Sequence, residues 1–246
     1  NPLRRLPDAL LDLPALETLS LGETGLTSLP LLPKSLKTLQ VSGCSLGQLP
    51  EAMTGLQLER LELPRCGLTD ISAVPDCEHL SLFGHLRESL PEDLWERTRL
   101  VSLSVRGNRL RSLPPGTAAR LETLEASGNA LRHLALPQMP ALHHLDLSNN
   151  PLSVPPRGLH RLSALRYLDL SNTRLRWLSP RLTSLSRLEH LDLYGDPVAQ
   201  LPPGLDTMPA LHRLHLSAHT SRHLPEGLLA RLALTELSID GIRTPV

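Results

Sequence analysis

Aromatic residues are scarce: one phenylalanine, two tyrosines and two tryptophans make up 2% of the 246 residues. A core without rings must be filled by aliphatic side chains of one or two shapes. Lysine occurs only as Lys34 and Lys37, so nearly every cation is an arginine. The formal net charge is zero, from 25 basic and 25 acidic residues. Without a basic excess, neither nucleic acid nor an anionic membrane is an expected partner. No run of about 18 apolar residues occurs, so the sequence holds no candidate membrane span. It also has no glycine-rich phosphate loop, no G-x-S-x-G and no zinc-spaced cysteine pairs. No cofactor is therefore expected, and catalysis within these residues is not.

Leucine is what the chain has in quantity, about a quarter of its residues, and it is placed regularly. The pattern is clearest from Leu142 to Leu165, with Leu142, Leu145, Leu147, Asn150 and Leu152 followed by Pro155 and Pro156. The next unit repeats it as Leu165, Leu168, Leu170, Thr173, Leu175, Leu178 and Pro180. The spacing L-x-x-L-x-L-x-x-N-x-L is the signature of a leucine-rich repeat, a strand followed by a short return segment. Repeats start at Leu16, Leu36, Leu58, Cys77, Leu100, Leu121, Leu142, Leu165, Leu188, Leu211 and Leu234. The last four steps are 23 residues each, the earlier ones uneven, with an extra residue around Gly84–Arg87. The third and fourth units are where an irregular bend is expected.

The expected fold is an α/β repeat: a curved leucine-rich-repeat solenoid with a parallel β-sheet on the concave face. Short 3₁₀, α or extended segments should line the convex face. About eleven repeats make a single domain over residues 1–246. Asn1–Pro7 reads as the second half of a repeat, and Val246 falls in mid-repeat. Solenoids need polar caps, so the chain is expected to be a fragment of a longer protein.

Each strand centres on an L-x-L pair, from Leu19/Leu21 through Leu145/Leu147 to Leu237/Ile239. Period 2 sends these residues inward and those between them to the other face. At ~4.8 Å between strands, the sheet should be on the order of 50 Å long. Proline marks the returns at Pro50, Pro91, Pro114–Pro115, Pro202–Pro203 and Pro225. It donates no hydrogen bond and so ends strand pairing. Leu159–Leu165 and Leu182–Leu188 have helix-like spacing, while Pro30–Ser35 has room only for extended backbone.

Three residues after each pair comes a turn position: Thr24, Cys44, Cys66, His85, Asn108, Asn129, Asn150, Thr173, Asp196 and His219. The chain turns inward there, and an asparagine amide can bridge orphaned backbone groups to the neighbouring repeat. Cys44 and Cys66 share this position in adjacent units. They read as reduced buried thiols, or as a disulfide if their separation allows it. Cys77 should point inward and His79 outward, so they do not form a nucleophile and its base.

The outward strand positions give a candidate surface for a protein partner. Early strands offer Arg60, Glu62, Arg65, His79, Phe83 and Arg106. Late strands offer His144, Asp146, Tyr167, Asp169, His190, Asp192, Tyr194, Arg213 and His215. Small residues lie between them: Ser102, Ser104, Thr123 and Ser127. Phe83, Tyr167 and Tyr194 are all expected exposed, with aromatics kept out of the core. Such placement fits contact, against the alternative of chance with so few rings. The acidic column Asp146–Asp169–Asp192 should repel itself and be relieved by nearby His or Arg. L-D-L is also common in such repeats. On so open a face no convergent metal ligands are expected. The surface stands as drawn only if Asp146 and Asp169 stay out of the core.

Residues 26–44, running Leu26-Thr-Ser-Leu-Pro-Leu-Leu-Pro through Val41-Ser-Gly-Cys44, resemble the short proline-marked repeats of bacterial type III secreted effectors. The pattern there is L-x-x-L-P-x-L-P-x-x-L-x-x-L-x-V. The 23-residue units with L-P-x-G-L at Leu201–Leu205 and Leu224–Leu228 are similar to repeats of plant-pathogen effectors and plant intracellular proteins. The uneven first half and the long repeats depart from the short-repeat class. The resemblance implies the target-binding domain of a virulence effector, secreted by a bacterium into a host cell and binding a host protein. In several such effectors the repeats select substrate for a ubiquitin ligase domain, which would lie outside these residues. A plant or animal cytoplasmic scaffold is the remaining reading.

Overall fold

A computed structural model describes residues 4–85, 87–222, 224, 233–239 and 242–245. Its strands are β1 (Thr18–Gly22), β2 (Thr38–Ser42), β3 (Arg60–Glu62), β4 (His79–Ser81), β5 (Ser102–Ser104) and β6 (Thr123–Glu125). Then follow β7 (His144–Asp146), β8 (Tyr167–Asp169), β9 (His190–Leu193), β10 (Arg213–Leu216), β11 (Glu236–Ile239) and β12 (Ile242–Pro245). They form one sheet in sequence order, β1 to β12. Neighbours from β1 to β11 pair in parallel, and β12 pairs antiparallel with β11. Each return carries the chain back to the same end, so parallel pairing follows from the repeat itself. The solenoid expected from the leucine spacing is the fold observed.

The register stacks leucine on leucine. Leu124 pairs with Leu145, Leu145 with Leu168, and Leu168 with Leu191. All four are fully buried, as are their partners two residues on, Ala126, Leu147, Leu170 and Leu193. Burying one such leucine is worth roughly 1.5–3 kcal/mol, so the stacked side chains hold the strands that the backbone pairs. Leu19 and Leu21 of β1 are only partly buried.

The returns contain one-turn 3₁₀ segments at Asp8–Asp12, Glu51–Gly55, Glu92–Glu96, Leu159–Arg161, Pro180–Ser184 and Leu205–Thr207. Pro50 and Pro91 precede two of them with φ near −60° and extended ψ, which sets the chain's entry angle. Helix-like spacing at Leu159–Leu165 and Leu182–Leu188 is thus matched, and Pro30–Ser35 has no helical turn. Pro225 and the L-P-x-G-L unit from Leu224 to Leu228 lie outside the described residues apart from Leu224 itself.

At the ends of β1 to β9 the chain passes through a left-handed residue, then an inward one. The left-handed residues are Glu23, Gly43, Arg65, Gly84, Gly107, Gly128, Asn149, Asn172 and Gly195. At Gly195 (φ +73°) an added Cβ would lie 2.2 Å from Asn172 Oδ1, so glycine is required for space as well as angle. The inward residues form the polar stack. Asn129 Oδ1 accepts from Leu110 N (3.0 Å), and its amide donates to Val105 O (3.0 Å) and Ala126 O (2.9 Å). Asn150 repeats this with Leu131 N, Ala126 O and Leu147 O. His85 takes the same role, with Nδ1 accepting from Leu68 N (3.0 Å). Cys44 and Cys66 bring their Sγ atoms to 2.8 Å as free thiols.

Two expectations fail inside the fold. His219 is exposed, because one α-turn (Ala218–Ser221) widens that bend and turns Thr220 inward instead. Aromatics are not confined to one face either: Trp95 is buried, its indole N–H donating to Pro114 O (2.8 Å).

Candidate protein-recognition surface

Two columns of side chains run across the outer face of the sheet, set by the register. One passes through Arg60, His79, Ser102, Thr123, His144, Tyr167, His190, Arg213 and Glu236. The other passes through Glu62, Ser81, Ser104, Glu125, Asp146, Asp169, Asp192, His215 and Ser238. Residues far apart in sequence become neighbours at strand spacing. Beyond the strand ends lie Arg65, Phe83, Arg106 and Tyr194.

Part of the first column is a row of rings. His144 stacks on Tyr167 with centroids 4.2 Å apart and planes 5° from parallel. Tyr167 stacks on His190 at 4.6 Å, and His190 meets the edge of His215 at 4.7 Å. The sequence shows these residues one repeat apart, but only the register shows that they touch. Burial holds the His144 and His190 imidazoles neutral, lowering His190 to about 4, with the neighbouring His215 contributing. Burial, reinforced by Asp169 and Asp192, also raises the Tyr167 phenol to about 12. At neutral pH His144, Tyr167 and His190 present uncharged rings with fixed orientation.

The acidic column behaves differently from expectation. Asp146 is only 8% exposed, so it is a turn residue rather than a free surface charge. Its Oδ1 accepts from Ser148 N (2.9 Å) and Ser148 Oγ (2.7 Å). Asp169 accepts from Ser171 N and Asp192 from Tyr194 N, each at 2.8 Å. The backbone amide two residues on bonds each of these carboxylates, and Asp192 in addition has His215 Nδ1 2.8 Å from its Oδ2, so the histidine neighbour expected of the column is found at that carboxylate. Asp169 remains half-buried and is shifted upward by burial. The physical reason for L-D-L at this position is therefore closure of the strand-end turn, and Asp146 leaves the set of contact residues.

Early strands carry charge more than rings. Arg60 pairs with Glu62 (3.3 Å) and Arg106 approaches Glu125 (3.9 Å). Arg60, Glu62 and His79 line a shallow depression of about 310 Å³ whose floor includes Ser102 and Ser104. Ser127, expected among the outward small residues, is buried. Phe83 is half-buried instead of freely exposed: the Arg65 guanidinium lies 5.2 Å above its ring, and Gly107 lies against it. Tyr194 is exposed, at 42%. Arg213 is exposed and 3.7 Å from Glu236.

Two features escaped the sequence. On the return side Trp177 is 50% exposed beside a groove of about 380 Å³ lined by Pro155, Pro156, Leu159 and Leu182. The expectation that no metal-ligating atoms converge also fails at one place: ligand atoms of His190, Asp192 and His215 lie within 4.8 Å of one another. Among the described residues no helix is long and apolar enough to cross a membrane.

Models of the leucine-rich repeat match residues 98–152, 35–56 and 164–185. No curated protein matches the chain in sequence. Three solved bacterial structures are similar. A leucine-rich-repeat protein of Leptospira interrogans is 23% identical with a TM-score of 0.65, over 98% of this chain and 76% of that one. The functional domain of InlJ from Listeria monocytogenes, described as including a cysteine ladder, is 21% identical with a TM-score of 0.67, over 93% and 49%. A leucine-rich-repeat protein of Bacteroides thetaiotaomicron is 14% identical with a TM-score of 0.67, over 92% and 32%. The chain thus spans about half and about a third of the latter two. The family models mark leucine-rich repeats within the chain and the solved structures share its solenoid fold; such repeats are generally modules for protein–protein interaction and typically non-catalytic.

Proposed function

We propose that this leucine-rich-repeat chain binds a protein target through the late-strand half of its sheet face, as the recognition domain of a secreted bacterial effector. The observation that carries the binding surface is the stacked row His144–Tyr167–His190–His215, with exposed Tyr194 beside it. Pre-ordered rings contribute contact area with little conformational entropy left to lose, which is the property of interface anchors. Arg213, Asp192 and the Arg60/Glu62 and Arg65/Arg106 groups form the polar surround. The effector role is supported by the proline-marked repeat at residues 26–44 and by the bacterial origin of the three similar structures described above, among others that match.

The test is affinity capture from host-cell extract with the wild-type chain, a Tyr167→Ala/Tyr194→Ala variant and a Trp177→Ala control. Loss of specific partners in the double variant, with retention in the control, supports the sheet face. Retention by the double variant and loss in the control moves the site to the return-side groove. Where the flanking sequence supplies a ubiquitin ligase, the same face selects the substrate. The 246-residue chain alone then transfers no ubiquitin, while a ligase-bearing chain does so in a Tyr167-dependent manner.

A further inference from the structure

The geometry points to a binding site for a divalent transition-metal ion of the zinc class on β9 and β10, formed by His190, Asp192 and His215. His190 and Asp192 are two residues apart on β9 and so point the same way, and His215 is the register partner of Asp192 on β10. Their ligand atoms lie within 4.8 Å of one another. Tetrahedral zinc with ligands at about 2.0–2.2 Å holds donor atoms about 3.3 Å apart, so the set closes with shifts of about an ångström. Two imidazoles and a carboxylate suit this class of ion better than magnesium or calcium, which favour all-oxygen shells.

Three further observations agree. Both ring nitrogens of His190 are shielded from solvent yet make no hydrogen bond. Buried polar atoms without partners are uncommon and costly, and a metal bond would satisfy one of them. His215 Nδ1 faces Asp192 Oδ2 at 2.8 Å, where a metal would replace the shared proton. Its Nε2 then carries the ring proton; this nitrogen makes no hydrogen bond here, and Glu236 Oε1, 3.5 Å away, is placed to become the outer carboxylate that commonly orients a metal-bound histidine. Arg213 is the nearby opposing charge, and its Nε is 3.7 Å from Glu236 Oε2, which takes up part of that charge. Three protein ligands on an open face leave a fourth position for water or for a partner's side chain. The site is independent of the proposed effector role.

The experiment is titration of the tag-free, chelator-treated 246-residue chain with ZnCl₂ by calorimetry. CoCl₂ is titrated in parallel and followed by visible absorption. One zinc per chain is expected, with cobalt giving the intense bands of low-coordinate geometry and zinc raising the melting temperature. His190→Ala and Asp192→Asn should each weaken binding at least tenfold and abolish the zinc-induced rise, while melting normally without metal. Glu236→Gln should weaken it about 10–100-fold, as outer-sphere changes do. His133→Ala, at an exposed histidine outside the site, should change nothing. Absence of stoichiometric binding, or binding unaltered in His190→Ala and Asp192→Asn, overturns the assignment.

Discussion

Asp196→Asn should stabilise the protein at neutral pH and do so much less in mild acid. Asp196 occupies the polar-stack position that Asn108, Asn129 and Asn150 hold in earlier repeats, and it is 0% exposed. Oδ1 accepts from Thr173 N (2.7 Å) and Arg174 N (2.6 Å), much as Asn108 Oδ1 accepts from His85 N and Arg87 N. Oδ2 lies 2.6 Å from Thr173 Oγ1, which also sits 2.7 Å from Leu170 O. One hydroxyl proton cannot serve two acceptors, so a protonated Asp196 completes the chain by donating to Thr173, which donates to Leu170. Burial raises this carboxyl from 3.8 to about 6, against hydrogen bonds from Thr173 and Arg174 that lower it. A folded-state value above the unfolded one gives stability that is whole below about pH 4 and is lost as pH rises through about 6. Two pKa units correspond to about 3 kcal/mol at pH 7.5. Asparagine keeps the acceptor, supplies the donor permanently and does not titrate. The assay is urea denaturation of both proteins at pH 4.5 and pH 7.5. The variant should gain about 3 kcal/mol at the higher pH and only about 1 kcal/mol at the lower, where the unfolded carboxyl is already mostly ionised. An equal difference at both values would refute the argument, because other carboxylates cancel between the two proteins.

Three further outcomes are expected. Asn129→Ala strands the buried Leu110 N and removes one of the two asparagine donors at Val105 O and at Ala126 O, which keep Asn108 and Asn150, and should destabilise by roughly 1–3 kcal/mol in a thermal melt. Gly195→Ala should cost at least about 1 kcal/mol, from the left-handed φ and the clash with Asn172, and a denaturation midpoint equal to wild type would contradict this. Cys44, Cys66 and Cys77 are all buried, and burial raises Cys77 to about 12. A thiol reagent should therefore label the native protein slowly and reach three thiols per chain only on unfolding, whereas rapid native labelling would count against the buried placement.

The fold was legible because one spacing repeats. Leu142, Leu145, Leu147 and Asn150 each have one environment available, and their counterparts a unit later have the same one. The outward positions were legible for the same reason, since period 2 fixes which side chains leave the core. What the side chains do after leaving it was not. Asp146 is expected on the accessible outer face, but it is buried because its carboxylate folds back on Ser148, a local preference that strand periodicity does not encode. Phe83 is partly covered because Arg65 and Gly107, from repeats on either side, meet over its ring. His219 was displaced by a single α-turn that shifts the inward position by one residue. The convergence of His190, Asp192 and His215 depends on side-chain rotamers across two strands, which sequence spacing leaves open.

The asparagine rungs give the solenoid a sense of direction. The carbonyl oxygen of Asn129 serves an amide of the unit before it, Leu110 N, and Asn150 serves Leu131 N in the same way. Damage at one rung is therefore felt upstream, toward the amino terminus. In hydrogen exchange, removing Asn150 should loosen the amide of Leu131 before those of the following turn. Local melting would thus spread backwards along the chain, against the order in which the repeats are synthesised.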